Sequence, residues 1–363
     1  MILVITHFPS PYQVELFDEI ERHRPGSVKV VYLFRTVPGR SWNHGDVAHA
    51  HEYLERSHVP TRIEEEVRRA EFVVFNYYND GRAARLIRLR ASTRRPWCFW
   101  GERPGYRFPW LARLARLGRL APLYASDQPI WGIGGWAVAE YRREFGNGRD
   151  YVNFPYYSNL ERFQRSQPAF SADRFTFLFS GSLIHRKGVD LLARAFQRLA
   201  AENPRVRLKI MGQGQWGRRL RKWLAEHERV EWTGFRDWAD LPAEYAGAHA
   251  LCAPSRHDGW GLIVPEGLAA ALPVVATDRT GAAIDLVRTG HNGWLIPAGD
   301  EEALYRAMRE AASLDAPAWN QMSANARATV RDHSLADGAR RFWQNVSAGM
   351  AHAEAGLHPG GDA

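Results

Sequence analysis

Short apolar runs recur along the first half of the chain, and each is followed by a stretch with helical spacing. Residues 2–6 (ILVIT) form the first run. Within residues 12–23, Val14, Phe17 and Ile20 fall on one side of a helix, because positions three and four apart share a face. Residues 28–34, 72–76, 97–100 and 130–133 predict further strands with helices between them. Strands that are apolar at every position are covered on both faces, and a βαβα order implies a parallel sheet.

The pattern lapses over 146–172, where Gly146, Gly148, Pro155 and Pro168 accompany several serines. It restarts at Phe175. Strands are expected at 175–181, 206–211, 229–232, 249–253 and 273–277, with helices at 188–201, 215–226, 239–246 and 265–271. Residues 301–312 and 318–349 are helical in pattern. The predicted fold class is α/β, with two doubly wound parallel-sheet, Rossmann-like domains facing a central cleft. Residues 1–150 form the first domain, 151–172 a linker and 173–315 the second domain. Residues 316–350 are C-terminal helices that can return to the first domain, and 351–363 are a disordered tail. Ligands of open α/β sheets bind at the C-terminal ends of the strands, so the loops there should carry the chemistry.

Composition adds three constraints. A chain of 363 residues exceeds one ordinary core and suits two. Cys98 and Cys252 stand in apolar runs without metal-ligand spacing, which fits a reducing, cytoplasmic compartment. No apolar run approaches the ~20 residues that span a bilayer, and the opening MILVITHFPSPY lacks the basic region of a signal peptide. The 14 Trp and 13 Tyr fit large aromatic cores as well as sugar-stacking surfaces.

Charge is unevenly placed. Residues 81–119 hold eleven arginines and one acid, Glu102, a local balance of +10 against +8 for the whole chain. Within this segment, residues 108–120 form an amphipathic helix on a helical wheel. Trp110, Leu111, Leu114 and Leu117 share one side, and Arg113, Arg116 and Arg119 the other. Such a helix suits an anionic membrane surface as well as an ordinary packed position with a solvated face. No recognition motif supports nucleic-acid binding.

Three segments carry candidate chemistry. In residues 254–287, Asp258 and Glu266 stand eight positions apart, separated by Gly259, Gly261 and the apolar Leu262-Ile263-Val264. Pro265 suits a first helical position, and free amides at a helix start can hold a diphosphate. The two carboxylates can accept hydrogen bonds from ribose and sugar hydroxyls. The same spacing also fits a turn aspartate and a helix-capping glutamate. In residues 177–192 a strand ends at Ser180-Gly181-Ser182, and His185-Arg186-Lys187 precede Gly188 at a helix start. Adjacent cations there suit a diphosphate leaving group, or simply a solvated basic turn. Met211-Gly212-Gln213-Gly214 and Thr233-Gly234-Phe235-Arg236 each follow a strand, and can line a pocket for a base or form tight turns.

Together these segments resemble the C-terminal, nucleotide-binding domain of retaining glycosyltransferase family 4, whose fold is GT-B. The family pattern is a strand, Gly-Arg-Leu, a short loop and Lys-Gly. Pro-Ser, an acid, Gly-aromatic-Gly and a Glu eight residues after that acid come later. Here the matching residues are Gly181-Ser182-Leu183, Lys187-Gly188, Pro254-Ser255, Asp258-Gly259-Trp260-Gly261 and Glu266, within roughly 175–300. Asp258 stands where Glu is usual, and Ser182 where an Arg is usual. Ser10-Pro11-Tyr12-Gln13 replaces a common Gly-Gly after the first strand.

The resemblance implies a sugar transfer from a nucleotide-sugar donor with retention of configuration. It implies that Lys187 and Arg186 neutralise the diphosphate, Glu266 binds ribose and Asp258 holds the donor sugar. The amides of Leu262 and Ile263 would touch phosphate, with Gly181, Gly212 and Arg236 near base or phosphates. No metal or other cofactor is implied. On the acceptor side the loops after the strands offer His7, Tyr12, Asn76, Glu102 and Arg103. The acceptor is expected to be a glycan or a lipid-linked glycan of a bacterial surface polysaccharide. The enzyme would then be cytoplasmic and peripheral on the inner face of the membrane. A nucleotide-sugar epimerase and a non-catalytic nucleotide-sugar-binding protein share the architecture and stand as alternatives.

Overall fold

The computed structural model describes all residues except 38–44, 55–57, 105–108, 166–167, 226–227, 239 and 357–363. Phe108, Glu226 and Ala239, at the ends of expected helices, and most of the expected tail therefore lie outside the described residues. Two compact units emerge: residues 1–158 with 335–363, and residues 159–334.

The first unit is built on seven parallel strands: β1 (Ile2–Thr6), β2 (Val28–Tyr32), β3 (Ala50–Tyr53), β4 (Phe72–Phe75), β5 (Trp97–Gly101), β6 (Ile130–Gly132) and β7 (Tyr151–Asn153). Their order is β3-β2-β1-β4-β5-β6-β7. The central strands β1, β4 and β5 are buried at every position, as their uninterrupted apolar runs require. The helix Pro11–His23 starts with proline at its first position and buries Val14, Phe17 and Ile20. The helix Leu335–Gly356 packs against it. Gly338 leaves room there for Tyr157 and Leu16, and the Arg24 guanidinium lies over Trp343.

The second unit holds six parallel strands: β8 (Phe175–Ser180), β9 (Val206–Met211), β10 (Val230–Gly234), β11 (Ala250–Ala253), β12 (Val274–Thr277) and β13 (Gly293–Ile296). Their order is β10-β9-β8-β11-β12-β13. In both sheets the order reverses beside the first strand, at β1/β4 and at β8/β11. A ligand crevice opens at such a reversal, because the flanking loops diverge to opposite faces.

The expected boundaries change in two places. The 151–172 segment is not a free linker. β7 pairs with β6, Phe154 and Tyr157 join the first core, and Phe163 is buried in the second unit. The helical stretch 318–349 is two helices, Ala316–Thr329 in the second unit and Leu335–Gly356 in the first. The latter continues into residues expected as tail.

Candidate functional site

In the second unit, the loops after β8 and β11 bring three of the expected residues to the strand reversal. Gly188, at φ +70°, starts the helix Val189–Glu202. A Cβ there would lie 1.9 Å from the Pro254 carbonyl oxygen, so only glycine lets the two loops touch. Just before it, Lys187 ends a 3₁₀ turn, His185–Lys187. Its ammonium donates to Asp258 Oδ2, and Arg186 Nη1 stands 3.6 Å from Oδ1. Burial alone would raise the Asp258 carboxyl. The Lys187 charge and hydrogen bond, with Arg186 and His257, outweigh it and hold the group below the usual carboxylate range. Asp258 is therefore a buried anion with two cations on it.

Glu266 lies in the short helix Ile263–Ala269 and is 2% exposed. Its Oε2 accepts a hydrogen bond of 2.9 Å from the Tyr245 hydroxyl. Burial, and then the Glu266 charge, push the Tyr245 phenol well up, so it remains a donor. Leu262 and Ile263 stand at the start of this helix, where amides lack a carbonyl four residues earlier in the helix. Gly212 follows β9 at φ +135°, and a Cβ on it would lie 1.9 Å from the Gly181 carbonyl oxygen. The loops after β8 and β9 are thus in backbone contact.

Arg236 stands differently. Its guanidinium donates to Glu244 at 2.6 Å, and Lys209 pairs with the same carboxylate at 2.5 Å. Arg236 is held by an ion-pair cluster on β9, β10 and the helix Leu241–Ala246.

Sequence reasoning missed Tyr245, Asp190 and Arg256. Arg256 forks onto the Asp190 carboxylate at 2.6 and 2.7 Å. Only its place between Pro254-Ser255 and Asp258 pointed to it. Tyr245 gave no local signal, since it is 21 positions from Glu266 in the chain.

In the first unit, the His7 ring stacks on Tyr77 at 4.1 Å, joining the loops after β1 and β4. Tyr12 lies against Tyr156 at 4.8 Å. Burial, then Glu102 and Tyr12, push the Tyr156 phenol well up. The Arg103 guanidinium lies over Trp136 at 4.2 Å. Asn76 is a brace: its Oδ1 accepts from Thr6 and Gln13, each at 2.8 Å, and its Nδ2 donates to the Trp100 carbonyl at 2.9 Å. That amide ties the ends of β1, β4 and β5 together.

The amphipathic segment forms the helix Pro109–Arg119. Its apolar side is exposed, with Trp110 63%, Leu111 46%, Leu114 58% and Leu117 42% accessible, and Arg113 and Arg119 are exposed as well. Arg116 does not join a solvated face. It is 4% exposed and forks onto Glu144 at 2.9 and 2.8 Å, anchoring the helix. Arg119 donates to Asn79 at 3.0 Å. Among the described residues, no helix is long and apolar enough to cross a membrane, and no group of three or more His, Cys, Asp or Glu side chains could hold a metal.

Residues 161–329 match the family model "Glycosyl transferases group 1", a segment that contains Lys187, Asp258 and Glu266. A putative colanic acid biosynthesis glycosyltransferase of Salmonella typhimurium is 29% identical over 157 residues. That alignment covers 41% of this chain and 38% of the relative, so the likeness spans well under half of each.

Whole-chain likeness comes from structure. The UDP complex of Anabaena HepE superposes with a TM-score of 0.74 over 96% of this chain and 99% of that one, at 15% identity. Sucrose-phosphate synthase of Thermosynechococcus elongatus gives 0.74 over 97% and 100%, at 18% identity. The fold is GT-B: two Rossmann-like, parallel-sheet domains.

Proposed function

We propose that the protein is a glycosyltransferase that moves a sugar from a nucleotide-sugar donor to a glycan or lipid-linked acceptor, with retention of configuration. The observation that carries this reading is the pairing of Lys187 with the buried Asp258, together with the Tyr245-held Glu266, on the loops and helix that follow β8 and β11 where the second sheet reverses. A nucleoside diphosphate leaving group gains charge as the bond to the sugar breaks. Fixed cations aimed at that position stabilise the transition state more than the ground state. Lys187 and Arg186 are those cations, and they supply positive charge without a metal ion. Glu266 takes the ribose, Asp258 the donor sugar, and the amides of Leu262 and Ile263 a phosphate. Gly181, Gly212 and Arg236 line the nucleotide's surroundings.

The first unit takes the acceptor, with His7, Tyr12, Glu102 and Arg103 at or near its strand ends. The likeness to a colanic acid glycosyltransferase supports a bacterial surface polysaccharide as the product. The exposed apolar side of the helix Pro109–Arg119, with Arg113 on the same helix, supports docking on an anionic membrane at its cytoplasmic face. The test of the reaction is product analysis with UDP-, GDP-, ADP- and dTDP-sugars, each with and without a lipid-linked glycan. Transfer that requires the acceptor supports the reading; conversion of the donor sugar without acceptor points to an epimerase.

A further inference from the structure

The loop that bears Lys187 is stapled to the loop that bears Asp258 from both sides. The Arg256 guanidinium makes two parallel bonds to the Asp190 carboxylate, and its Nη1 also donates to the His185 carbonyl at 2.8 Å. The Arg256 backbone N–H donates to the Arg186 carbonyl at 2.8 Å. In return, Arg186 Nη1 donates to the His257 carbonyl at 2.8 Å. Each partner lies in or just beyond the loops after β8 and β11.

We propose that Arg256 is a positioning residue for the donor diphosphate. Its fork on Asp190 fixes the turn His185–Lys187 against residues 254–258, and so sets where Lys187 and Asp258 stand. The inference rests on the donor reading above but names residues that reading does not use. Both terminal nitrogens of Arg256 are engaged by Asp190 and His185, so it acts through the turn.

Three features make this more than a surface ion pair. Asp190 is 4% exposed and sits in the first turn of the helix Val189–Glu202. Burial raises its carboxyl, but the Arg256 hydrogen bonds and charge outweigh that and hold it below its ordinary value. A bidentate guanidinium–carboxylate pair also fixes angle as well as distance, which a lysine cannot do. Because the turn is only three residues long, a shift of one carbonyl moves the Lys187 ammonium with it. Arg194 stands 3.5 Å from Asp190, so removing the Arg256 charge still leaves that carboxylate a cation beside it.

The test compares wild type with Arg256→Gln, Arg256→Lys and Asp190→Asn, using UDP, GDP, ADP and dTDP as probes beside the matching nucleosides. In Arg256→Gln, amide hydrogen exchange over 185–188 is expected to speed up at least tenfold, while β8 and β11 keep their protection. Affinity for the diphosphate that wild type binds should fall at least tenfold, with the nucleoside unchanged within twofold. Asp190→Asn should behave alike, and Arg256→Lys should recover part of the loss. Diphosphate affinity and exchange within twofold of wild type in Arg256→Gln would overturn the proposal. So would equal losses for diphosphate and nucleoside, which mark general disruption. If wild type binds none of the four probes, the donor reading fails, and unchanged exchange over 185–188 would separately overturn the staple.

Discussion

The Lys187 ammonium is partly exposed and neutralises the buried Asp258 carboxylate, so each is poised to exchange its partner for a polar ligand. Lys187→Ala should lower the transfer rate by about 10² to 10³ at saturating donor, the scale of losing one preorganised charge at a developing anion. Steady-state kinetics checks this, and unchanged turnover would remove Lys187 from the chemistry. The two acids should separate by calorimetry. Glu266→Ala weakens binding of the free nucleoside diphosphate, because ribose contacts exist before and after transfer. Asp258→Ala spares the free nucleotide and harms the intact nucleotide-sugar; equal losses would mean the two roles are misassigned. These residues were legible in the sequence because each chemical loop is compact: Asp258, its glycines and Glu266 fall within nine positions, and Gly181, Arg186 and Lys187 within seven. Tyr245 and the Arg256–Asp190 fork were not, since each contact joins residues from different parts of the chain.

Among the elements, the inner strands and the edge strand β10 announced themselves, while the edge strands β3, β7 and β13 did not. β3 reads Ala-His-Glu-Tyr, a polar edge without alternation, and β7 has three residues. Neither buries enough apolar surface to leave a pattern. The helix Pro109–Arg119 shows the complementary limit. A helical wheel separates two sides but cannot say which one meets the protein. Glu144 decides it, 28 positions away, by drawing Arg116 inward and leaving Trp110, Leu111, Leu114 and Leu117 outside. Arg116 is therefore a poor choice for probing membrane attraction, since its loss would unseat the helix. Trp110→Ser with Leu114→Ser should weaken sedimentation with anionic phosphatidylglycerol vesicles severalfold while leaving the circular dichroism spectrum unchanged. Binding of the wild type should also fall with salt, as screening requires. Wild type that ignores such vesicles at low salt would favour a soluble acceptor.

The whole molecule joins two parallel-sheet units whose chain order was visible in the sequence, as was a division within 151–172, although that segment is shared between the units rather than free. The strand-helix alternation and its restart at Phe175 are local features; the return of Leu335–Gly356 to the first unit depends on packing against Pro11–His23. Stability of the second unit has a titratable component. His249 Nδ1 accepts the Thr176 N–H at 3.0 Å, and its carbonyl accepts from Trp319 Nε1 at 2.9 Å. Burial, then the Arg174 and Arg205 charges, lower its imidazolium from 6.5 to about 4. Between those values the unfolded chain binds a proton that the folded chain does not. Stability is thus complete above pH 6.5 and falls as pH drops toward 4, by about 3 kcal/mol at most. Urea unfolding across this range should show the slope, and His249→Asn, which keeps an acceptor but cannot ionise there, should flatten it.

The most direct test of the account is the thermal stability of the protein with UDP-, GDP-, ADP- and dTDP-sugars. A ligand at a hundred times its dissociation constant adds about 2.7 kcal/mol to the state that binds it. One nucleotide class should stabilise the protein by that scale, and Glu266→Ala should abolish the shift. No shift with any of the four, or a shift that survives intact in Glu266→Ala, would contradict a nucleotide-sugar site at the reversal point of the second sheet.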